Sequence, residues 1–283
     1  MPRPLVWKHL TGEFVLDRAH VMGVLNVTPD SFSDGRRFLD PDVAVLRGLE
    51  IAEEEADILD VGGESTRPGS DPVSPEEEWR RVGPVIEALG RKIDIPISID
   101  TRRAIVAKKA LHAGASIVND VSGLRDPAMM EMLARSGAGA IIMHMLGEPK
   151  TMQEAPEYAD VVREVRSYLE GRVRAALAAR IPREAIAVDP GIGFGKTADH
   201  NLELIRNLDR IAALGQPVVI GVSRKTFLGW LGGGEAGERL PASIAASSVA
   251  VLQGAHVIRA HDVVETVRAM RVAWALRRGR ENL

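Results

Sequence analysis

Short apolar runs alternate with longer amphipathic segments along almost the whole chain, and this alternation constrains the fold more than any other feature. Eight runs rich in Val and Ile are nearly continuous in apolar residues, which is typical of parallel strands buried on both faces. They are His20–Val27, Asp57–Gly63, Pro96–Asp100, Ser116–Asp120, Ala140–Met145, Ile186–Gly191, Pro217–Ser223 and His256–Asp262.

Helical patterns lie between these runs. The clearest covers Glu157–Arg180, where apolar residues recur at spacings of three and four. The others are Ala44–Glu55, Glu76–Leu89, Arg102–Ala113, Pro127–Arg135, Asn201–Leu214 and Val263–Arg278. Strands that alternate with helices predict an α/β protein built as a single (β/α)8 TIM barrel. A doubly wound open sheet remains an alternative, because a count of strands does not show closure.

The totals fit one barrel. The chain has 283 residues and no obvious linker, so we expect residues 1–283 to form a single domain. The absence of cysteine excludes disulfides, thiolate metal sites and a thiol nucleophile. A net charge of −3 favours neither nucleic acid nor an anionic membrane as a partner. Because no secretory signal or apolar run of membrane-spanning length is found, we expect a cytoplasmic protein.

Polar side chains follow the carboxyl ends of most predicted strands, which is where TIM barrels form their active sites. One such residue is more often a helix cap or turn former, and this interpretation is favoured for Asp120, Ser122 and Asp126 taken alone. Repetition over successive strands favours a pocket for a polar, anionic substrate. The candidates are Asn26, Asp100, Asn119, His144, Asp189, Ser223, Lys225, Arg259 and His261.

Common metal and nucleotide motifs are absent or incomplete. No HExxH pattern or closely spaced histidine pair occurs, so a dedicated zinc site is not expected. The glycines of Asp189–Lys196 match a nucleotide-binding loop only in part, and close backbone approach to a ring beside Phe194 explains them equally well. The run Gly229–Glu238 is interpreted as a flexible connection.

Seven motifs in one order, from Asn26 to Asp262, closely resemble the dihydropteroate synthase family. They are NVTPDSFSDG, DVGGESTRPG, NDVSG, MHMLGEPKTMQ, DPGIGFGK, GVSRK and RAHDV. The resemblance implies a TIM-barrel transferase of folate synthesis. Such an enzyme joins 6-hydroxymethyl-7,8-dihydropterin diphosphate to p-aminobenzoate and releases diphosphate. The sequence departs from the common family pattern at Ala260 and at Arg102-Arg103.

The resemblance assigns one group of residues to the pterin. Asp189 is expected to accept two N–H bonds from the amino-oxo edge of the ring, and Asn119 to bind the remaining edge. Lys225 is expected to donate to the ring oxygen and nitrogen. Met143 and Phe194 are expected to form apolar walls.

A second group is assigned to the departing diphosphate. The family implies a dissociative route, in which diphosphate leaves before the amine attacks a delocalised pterin cation. Arg259 and His261 are expected to hold the diphosphate, and Asp100 to stabilise the cation. The expected cofactor is Mg²⁺, held by the diphosphate and an oxygen of Asn26. The expected catalytic residues are Asp100, Lys225, Arg259 and His261.

Loop residues complete the expected site. Thr66, Arg67 and Pro68 match the family's second loop, and Ser223 matches its carboxylate-binding position for p-aminobenzoate, on whose ring Phe194 is expected to stack. The first loop, residues 28–38, is interpreted as a lid that excludes water from the cation. Its expected lid residues are Asp30, Ser31, Phe32 and Asp34.

Two alternative functions remain. A methyltransferase of the related pterin-binding barrels would share Asp189 and Asn119 but needs no diphosphate clamp. The synthase is therefore favoured by Ser223, Arg224, Lys225, Arg259 and His261. A non-catalytic paralogue would be expected to have lost site residues, and all are present. The last helix, Val263–Arg278, is expected to supply part of a homodimer surface, with packing against the barrel as its other role.

Overall fold

Eight parallel strands form the central sheet of the computed structural model, which describes residues 4–28, 41–65 and 69–279. In chain order they are β3 (His20–Asn26), β4 (Ile58–Gly62), β5 (Ile97–Asp100), β6 (Ala115–Asp120), β7 (Gly139–Met143), β8 (Ile186–Asp189), β9 (Val219–Ile220) and β10 (Val257–Ala260). Each pairs with the next from β3 to β8, and β10 lies between β3 and β9.

The sheet closes on itself. A parallel bridge between Val188 and Val218 joins β8 to the residue that precedes β9, so the two edges of the sheet meet. Val188 N also donates to Pro217 O at 2.9 Å. The predicted TIM barrel is therefore confirmed, and the doubly wound open sheet is wrong.

Helices follow the strands on the outside of the barrel. In the described ranges they are α1 (Pro41–Glu53), α2 (Pro75–Leu89), α3 (Ala104–Ala113), α4 (Pro127–Ser136), α5 (Val161–Ala178), α6 (Ala198–Arg206), α7 (Leu208–Ala212), α8 (Thr226–Gly232), α9 (Leu240–Leu252) and α10 (Val263–Arg278). None of these described helices is both long enough and apolar enough to cross a membrane.

Side-chain caps explain where several helices begin. Ser74 accepts a hydrogen bond from the N–H three residues further on. Asp126 accepts one from the N–H two residues on, as its interpretation as a helix cap predicts. Asp120 likewise shapes its own loop by accepting two backbone N–H bonds. Asp160 caps α5, which therefore begins four residues after the predicted start. The predicted helix at 201–214 is divided into two helices at Asn207.

The segment after β9 is more ordered than predicted. The run Gly229–Glu238 was interpreted as a connection, but α8 extends into it and a short 3-10 helix covers Ala236–Glu238. Helix α9 follows directly. Gly233 and Gly234 adopt positive φ between these short elements. In the sequence, such glycines indicate a flexible connection, so the elements on either side were not predicted.

An N-terminal hairpin closes the amino end of the barrel. It consists of β1 (Val6–His9) and β2 (Gly12–Val15), which are antiparallel. Trp7 is fully buried, and its Nε1 donates to Ala185 O at 3.2 Å. The Trp7 side chain belongs to one apolar cluster with Leu16, Met22, Ile58, Ile117, Ile141, Ala187, Val219 and Val257. This end of the barrel is thus filled by packed hydrocarbon.

Candidate active site

Four neighbouring strands present a row of residues at their carboxyl ends. Asn26 pairs with Gly62, Gly62 with Asp100, and Asp100 with Asn119. A Cβ at Gly62 would lie 3.7 Å from Asn26 Oδ1 and 3.8 Å from Asp100 Oδ2. Because Gly62 has no side chain, it leaves a space beside Asn26 Oδ1 and Asp100 Oδ2, which come from two different strands.

A guanidinium lies between two carboxylates beside this row. Asp60, on the same face of β4 as Gly62, is fully buried. Arg259 donates Nε to Asp60 Oδ2 at 2.6 Å and Nη2 to Asp100 Oδ2 at 3.1 Å. Asn119 Nδ2 donates to the same Asp60 oxygen at 3.3 Å. Four strands of the barrel are joined by these side-chain contacts.

The electrostatics of this cluster follow from burial and shared charge. Burial raises the pKa of Asp100 to about 7, against the attraction of Arg259 and with added repulsion from Asp60. Burial alone would lower the pKa of Arg259, but the two carboxylates raise it and keep the guanidinium charged. When both acids are ionised, two negative charges share one positive charge. The cluster then favours a further cation nearby.

Asp189 lies at the end of β8 with its side chain almost fully buried. Its Oδ1 accepts a hydrogen bond from Gly191 N at 2.7 Å. Burial raises the pKa of Asp189 to about 6, although this hydrogen bond and the Lys225 charge both act to lower it. The buried Met143 is its pairing partner on β7. Once ionised, this carboxylate is a strong acceptor for ligand N–H groups.

Lys225 and Phe194 meet beside Asp189. Lys225 Nζ lies 4.3 Å from the centroid of the Phe194 ring, which is a cation–π contact. Gly193 has a φ of 80°, and a Cβ there would lie 3.2 Å from Lys225 Cδ, so glycine permits this close approach. Phe194 also packs on the cluster that contains Met143. Four of the residues predicted to surround the pterin, Asp189, Lys225, Met143 and Phe194, are therefore close neighbours, whereas Asn119 contacts Asp60.

Ser223 and His261 form a hydrogen-bonded pair. Ser223 Oγ lies 3.1 Å from His261 Nδ1 and accepts from His261 N at 3.2 Å. Burial, with the charge of Arg259 as the next cause, lowers the pKa of His261 to about 3. His261 is therefore neutral and can donate or accept a hydrogen bond. The adjacent Arg224 is exposed and pairs with Asp262 at 3.1 Å.

The sequence analysis missed two buried residues of this region. Asp60 lies inside β4 and not at its end; an acid within an apolar run was the signal that could have identified it. Lys196 is 2% exposed, and its Nζ lies 2.9 Å from His144 Nδ1. No sequence signal distinguishes Lys196 from a surface lysine. His144, predicted as a strand-end candidate, is thus bound to another protein side chain.

Seven predicted residues lie outside the described residues, and their assignment stays a prediction: Asp30, Ser31, Phe32, Asp34, Thr66, Arg67 and Pro68. The chain that leads to residues 66–68 is held by an ionic contact. Arg102, at a position where the sequence departs from the family, donates to Glu64 at 3.0 Å and to Glu148 at 2.9 Å. It therefore links the second strand–helix loop to the fifth.

The residues present fit a metal ion held mainly by a substrate. Within residues 4–28, 41–65 and 69–279, no group of three Asp, Glu or His side chains is placed to bind a metal ion. Mg²⁺ keeps several water ligands and commonly takes one or two protein oxygens together with phosphate oxygens. Asn26 Oδ1, half-buried beside Gly62 and Asp100, meets that requirement.

A separate groove lies on the outside of the barrel. Its volume is about 670 Å³, and it runs between α3 and α4 beside Leu10. None of the strand-end residues described above lines it. The groove is therefore not part of the candidate active site.

Comparison with known proteins identifies the family. A family model described as pterin binding enzyme matches residues 22–261. Dihydropteroate synthase of Escherichia coli (strain K12) is 45% identical over 267 residues, which are 94% of this chain and 95% of that protein. This chain belongs to the dihydropteroate synthases.

Solved dihydropteroate synthases agree with this result. The Xanthomonas albilineans enzyme with 4-aminobenzoic acid has a TM-score of 0.88 and 45% identity, over 94% of this chain and 96% of that chain. The same organism's enzyme in complex with 7,8-dihydropteroate has a TM-score of 0.85 and 42% identity over the same shares. The predicted family, barrel and transferase class are confirmed.

Proposed function

We propose that the protein condenses 6-hydroxymethyl-7,8-dihydropterin diphosphate with p-aminobenzoate through a dissociative displacement. The observation that carries the mechanism is the placing of Arg259 between Asp60 and Asp100, inside the carboxyl end of the barrel. A leaving diphosphate needs positive charge, and the pterin cation left behind needs negative charge. This cluster supplies both within one buried site.

The pterin is recognised by its polar edge. Asp189 accepts the ring N–H groups, and its high degree of burial makes each of these bonds stronger than it would be in water. Asn119 binds the remaining edge, and Lys225 donates to the ring oxygen and nitrogen. Met143 and Phe194 pack on the ring faces. The support for these roles is the close grouping of the side chains and the family membership.

Diphosphate departure is assisted by Arg259 and His261. Two guanidinium N–H groups of Arg259 bind carboxylates. The others make no hydrogen bond within the described residues, so they can bind phosphate oxygens. The neutral His261 contributes a hydrogen bond and not a charge. As the bond to the methylene carbon breaks, the electron pair leaves with the diphosphate, and ionised Asp100 stabilises the developing pterin cation. One such contact is typically worth about 2.7–4 kcal/mol of barrier.

Asn26 is the proposed protein ligand for Mg²⁺. When bound, the ion neutralises charge on the diphosphate. The protein's part is to place one amide oxygen beside Asp100, at the open space left by Gly62. Asn26→Ala is expected to raise the Mg²⁺ concentration that gives half-maximal activity.

Ser223 and Phe194 are proposed to receive p-aminobenzoate, together with Thr66, Arg67 and Pro68 of the second loop. Ser223 Oγ binds the carboxylate, while Phe194 stacks on the ring. The hydrogen bond between Ser223 and His261 makes the carboxylate site and the diphosphate clamp immediate neighbours. The amine then attacks the cation from the loop side.

A homodimer and a cytoplasmic location are part of this proposal. Helices α9 and α10 pack against each other and leave apolar side chains exposed: Val249, Leu252, Val272 and Leu276. Exposed apolar residues grouped on adjacent helices are typical of interfaces. Sedimentation of the purified protein tests this part, with a mass of one chain as the contradictory result.

The activity is tested by incubating purified protein with pterin diphosphate, p-aminobenzoate and Mg²⁺ and measuring dihydropteroate and diphosphate. Both products are expected in equal amounts and are expected to be lost in Lys225→Ala. Lys92→Ala, which removes an exposed lysine in the turn between α2 and β5, is the control and should retain activity. Binding of the pterin without product formation would overturn the proposed function.

A further inference from the structure

Among the residues that the structure describes, no carboxylate is in direct contact with the buried Lys196, although it lies within the candidate site. Its Nζ contacts His144 Nδ1 at 2.9 Å and Phe194 O at 3.0 Å. Burial lowers the pKa of Lys196 to about 7, opposed by the charge of Asp189. A buried amine is costly unless its N–H groups are used. Both of its contacts are with parts of the protein that surround the expected substrates.

The turn before Lys196 lies directly on the end of β7. Gly191 has a φ of 68°, and a Cβ there would lie only 1.9 Å from His144 O. Gly195 has a φ of 65°, and its Cβ would lie 2.6 Å from Leu146 O. Tyr158 Oη donates to Gly195 O at 2.8 Å. The turn 191–195 therefore has little freedom to move towards β7, and side-chain hydrogen bonds determine how firmly it is held there.

Phe194, in the middle of this turn, is held by its backbone and by its ring. Its N–H donates to Gly191 O at 3.1 Å within the turn. Its carbonyl accepts the hydrogen bond from Lys196, and its ring contacts the Lys225 ammonium at 4.3 Å from the centroid. The Lys196 contact orients the Phe194 carbonyl relative to β7, and the direction of the ring follows the orientation of the backbone. Loss of the amine would leave the N–H bond within the turn and the ring contact with Lys225 but would release the Phe194 carbonyl.

We propose that Lys196 is a positioning residue for p-aminobenzoate. Its amine joins the turn 191–195 to β7 through Phe194 O and His144 Nδ1, and it thereby holds the Phe194 ring where the aromatic substrate stacks. This inference rests on the proposed function, because it uses the role of Phe194 toward p-aminobenzoate. Lys196 itself acts through Phe194.

The hydrogen bond between Lys196 and His144 is tested in the wild-type protein. If Lys196 donates to His144 Nδ1, the neutral imidazole must carry its proton on Nε2. Nitrogen NMR of labelled histidine, assigned with His144→Gln, is expected to show that tautomer at neutral pH. A proton on Nδ1 would overturn the proposed arrangement, and this measurement does not depend on the folding of a Lys196 variant.

Lys196→Met tests the functional consequence, because methionine retains the length and apolar volume of the side chain without the amine. The KM for p-aminobenzoate is expected to rise about tenfold or more, while kcat changes by less than about threefold. Lys92→Met is the control, because Lys92 is exposed in the turn between α2 and β5, and it should leave both constants unchanged. Melting temperatures of both variants report any loss of stability.

Two different failures are distinguishable in this experiment. An unchanged KM in folded Lys196→Met, with an active wild-type enzyme, would overturn the positioning role alone. Absence of dihydropteroate from the wild-type enzyme would overturn the proposed function instead. A lower melting temperature with unchanged KM would assign Lys196 to stability and also contradict the inference.

Discussion

The two ends of the barrel carry different kinds of side chains, which are apolar at the amino end and charged at the carboxyl end. At the amino end the β1–β2 hairpin covers a layer of Met, Ile and Val side chains, and Trp7 is fully buried among them. At the carboxyl end the same strands carry Asp60, Asp100 and Asp189, which share the barrel with Arg259 and Lys225. The same sheet therefore carries a packed hydrophobic layer at one end and a charged pocket at the other.

This difference shows that the residues that stabilise the fold and the residues of the candidate active site lie at different ends of the barrel. The amino end stabilises the protein by removing apolar surface from water. The carboxyl end keeps acids at raised pKa values, which costs stability whenever they are ionised. Substitutions at the amino end should therefore change unfolding, and substitutions at the carboxyl end should change turnover.

Trp7→Ala tests the amino end and has the largest expected effect. Removal of a fully buried indole should lower the free energy of unfolding by about 3–5 kcal/mol. The folded fraction should retain wild-type KM values, because Trp7 lies among apolar residues away from the polar strand ends. Urea denaturation and steady-state kinetics at low temperature measure the two quantities. A change in KM without a change in the free energy of unfolding would contradict the assignment of Trp7 to stability and not to substrate binding.

Arg259→Gln tests the carboxyl end. Loss of the charge between Asp60 and Asp100 should raise the activation barrier by about 2.7–4 kcal/mol, which is a fall in kcat of roughly 100- to 1,000-fold. Rapid-quench measurement of diphosphate formation isolates this step. Arg80→Gln is the matched control, since Arg80 is exposed on α2 and pairs with Glu77 at 2.7 Å. Equal losses in both variants would indicate a general charge effect.

Asp60→Asn asks whether a residue inside a strand belongs to the site. The substitution keeps the shape of the side chain but weakens its hold on Arg259. We expect a loss of about 1.5–3 kcal/mol in kcat/KM for the pterin diphosphate, the usual range for a hydrogen bond to a charged group. If only thermal stability changed, Asp60 would belong with the structural residues of the barrel.

The pH dependence of binding has the smallest expected effect. Asp189 must be ionised to accept N–H groups, and its pKa is about 6, with Asp100 at about 7. Affinity for 6-hydroxymethyl-7,8-dihydropterin should therefore fall below about pH 7 and approach tenfold per pH unit below about pH 6. Calorimetry with this ligand, which lacks the diphosphate, avoids titration of phosphate. Affinity that is constant from pH 5 to 8 would contradict the assignment.

The ionisation of Asp100 and Asp189 should affect the free energy of unfolding in the direction opposite to binding. Affinity should rise with pH, whereas their contribution to stability should fall. Their folded-state pKa values are raised, so their contribution to stability is fully present below the unfolded value and is lost as the pH rises through 6 to 7. The pH at which these carboxylates bind substrate is thus the pH at which they destabilise the free protein.

Site residues at the ends of strands were predicted from the sequence, whereas Asp60, inside a strand, was not. Asn26, Asp100, Asn119 and Asp189 follow apolar runs, so the barrel geometry places them at one end, as the structure shows. Asp60 was missed because its role depends on contact with Arg259, which is 199 residues away in the sequence.

The β1–β2 hairpin and the burial of Lys196 were not predicted either, for a similar physical reason. The β1–β2 hairpin is too short to have a strong periodic pattern, and its role depends on the layer of side chains that it covers. Lys196 follows a glycine-rich turn, and its burial results from the way in which that turn packs on β7. The local sequence pattern gives no information about the packing of the hairpin on the barrel or about the packing of this turn on β7.

In the proposed mechanism, the charges of the carboxyl end separate diphosphate from the pterin before the amine attacks. Exchange of radiolabelled diphosphate into the pterin diphosphate, with Mg²⁺ and without p-aminobenzoate, tests this order of bond breaking and attack. We expect exchange in the wild-type enzyme and its loss in Arg259→Gln. Exchange that requires p-aminobenzoate would overturn this order, because bond breaking would then depend on the attacking amine.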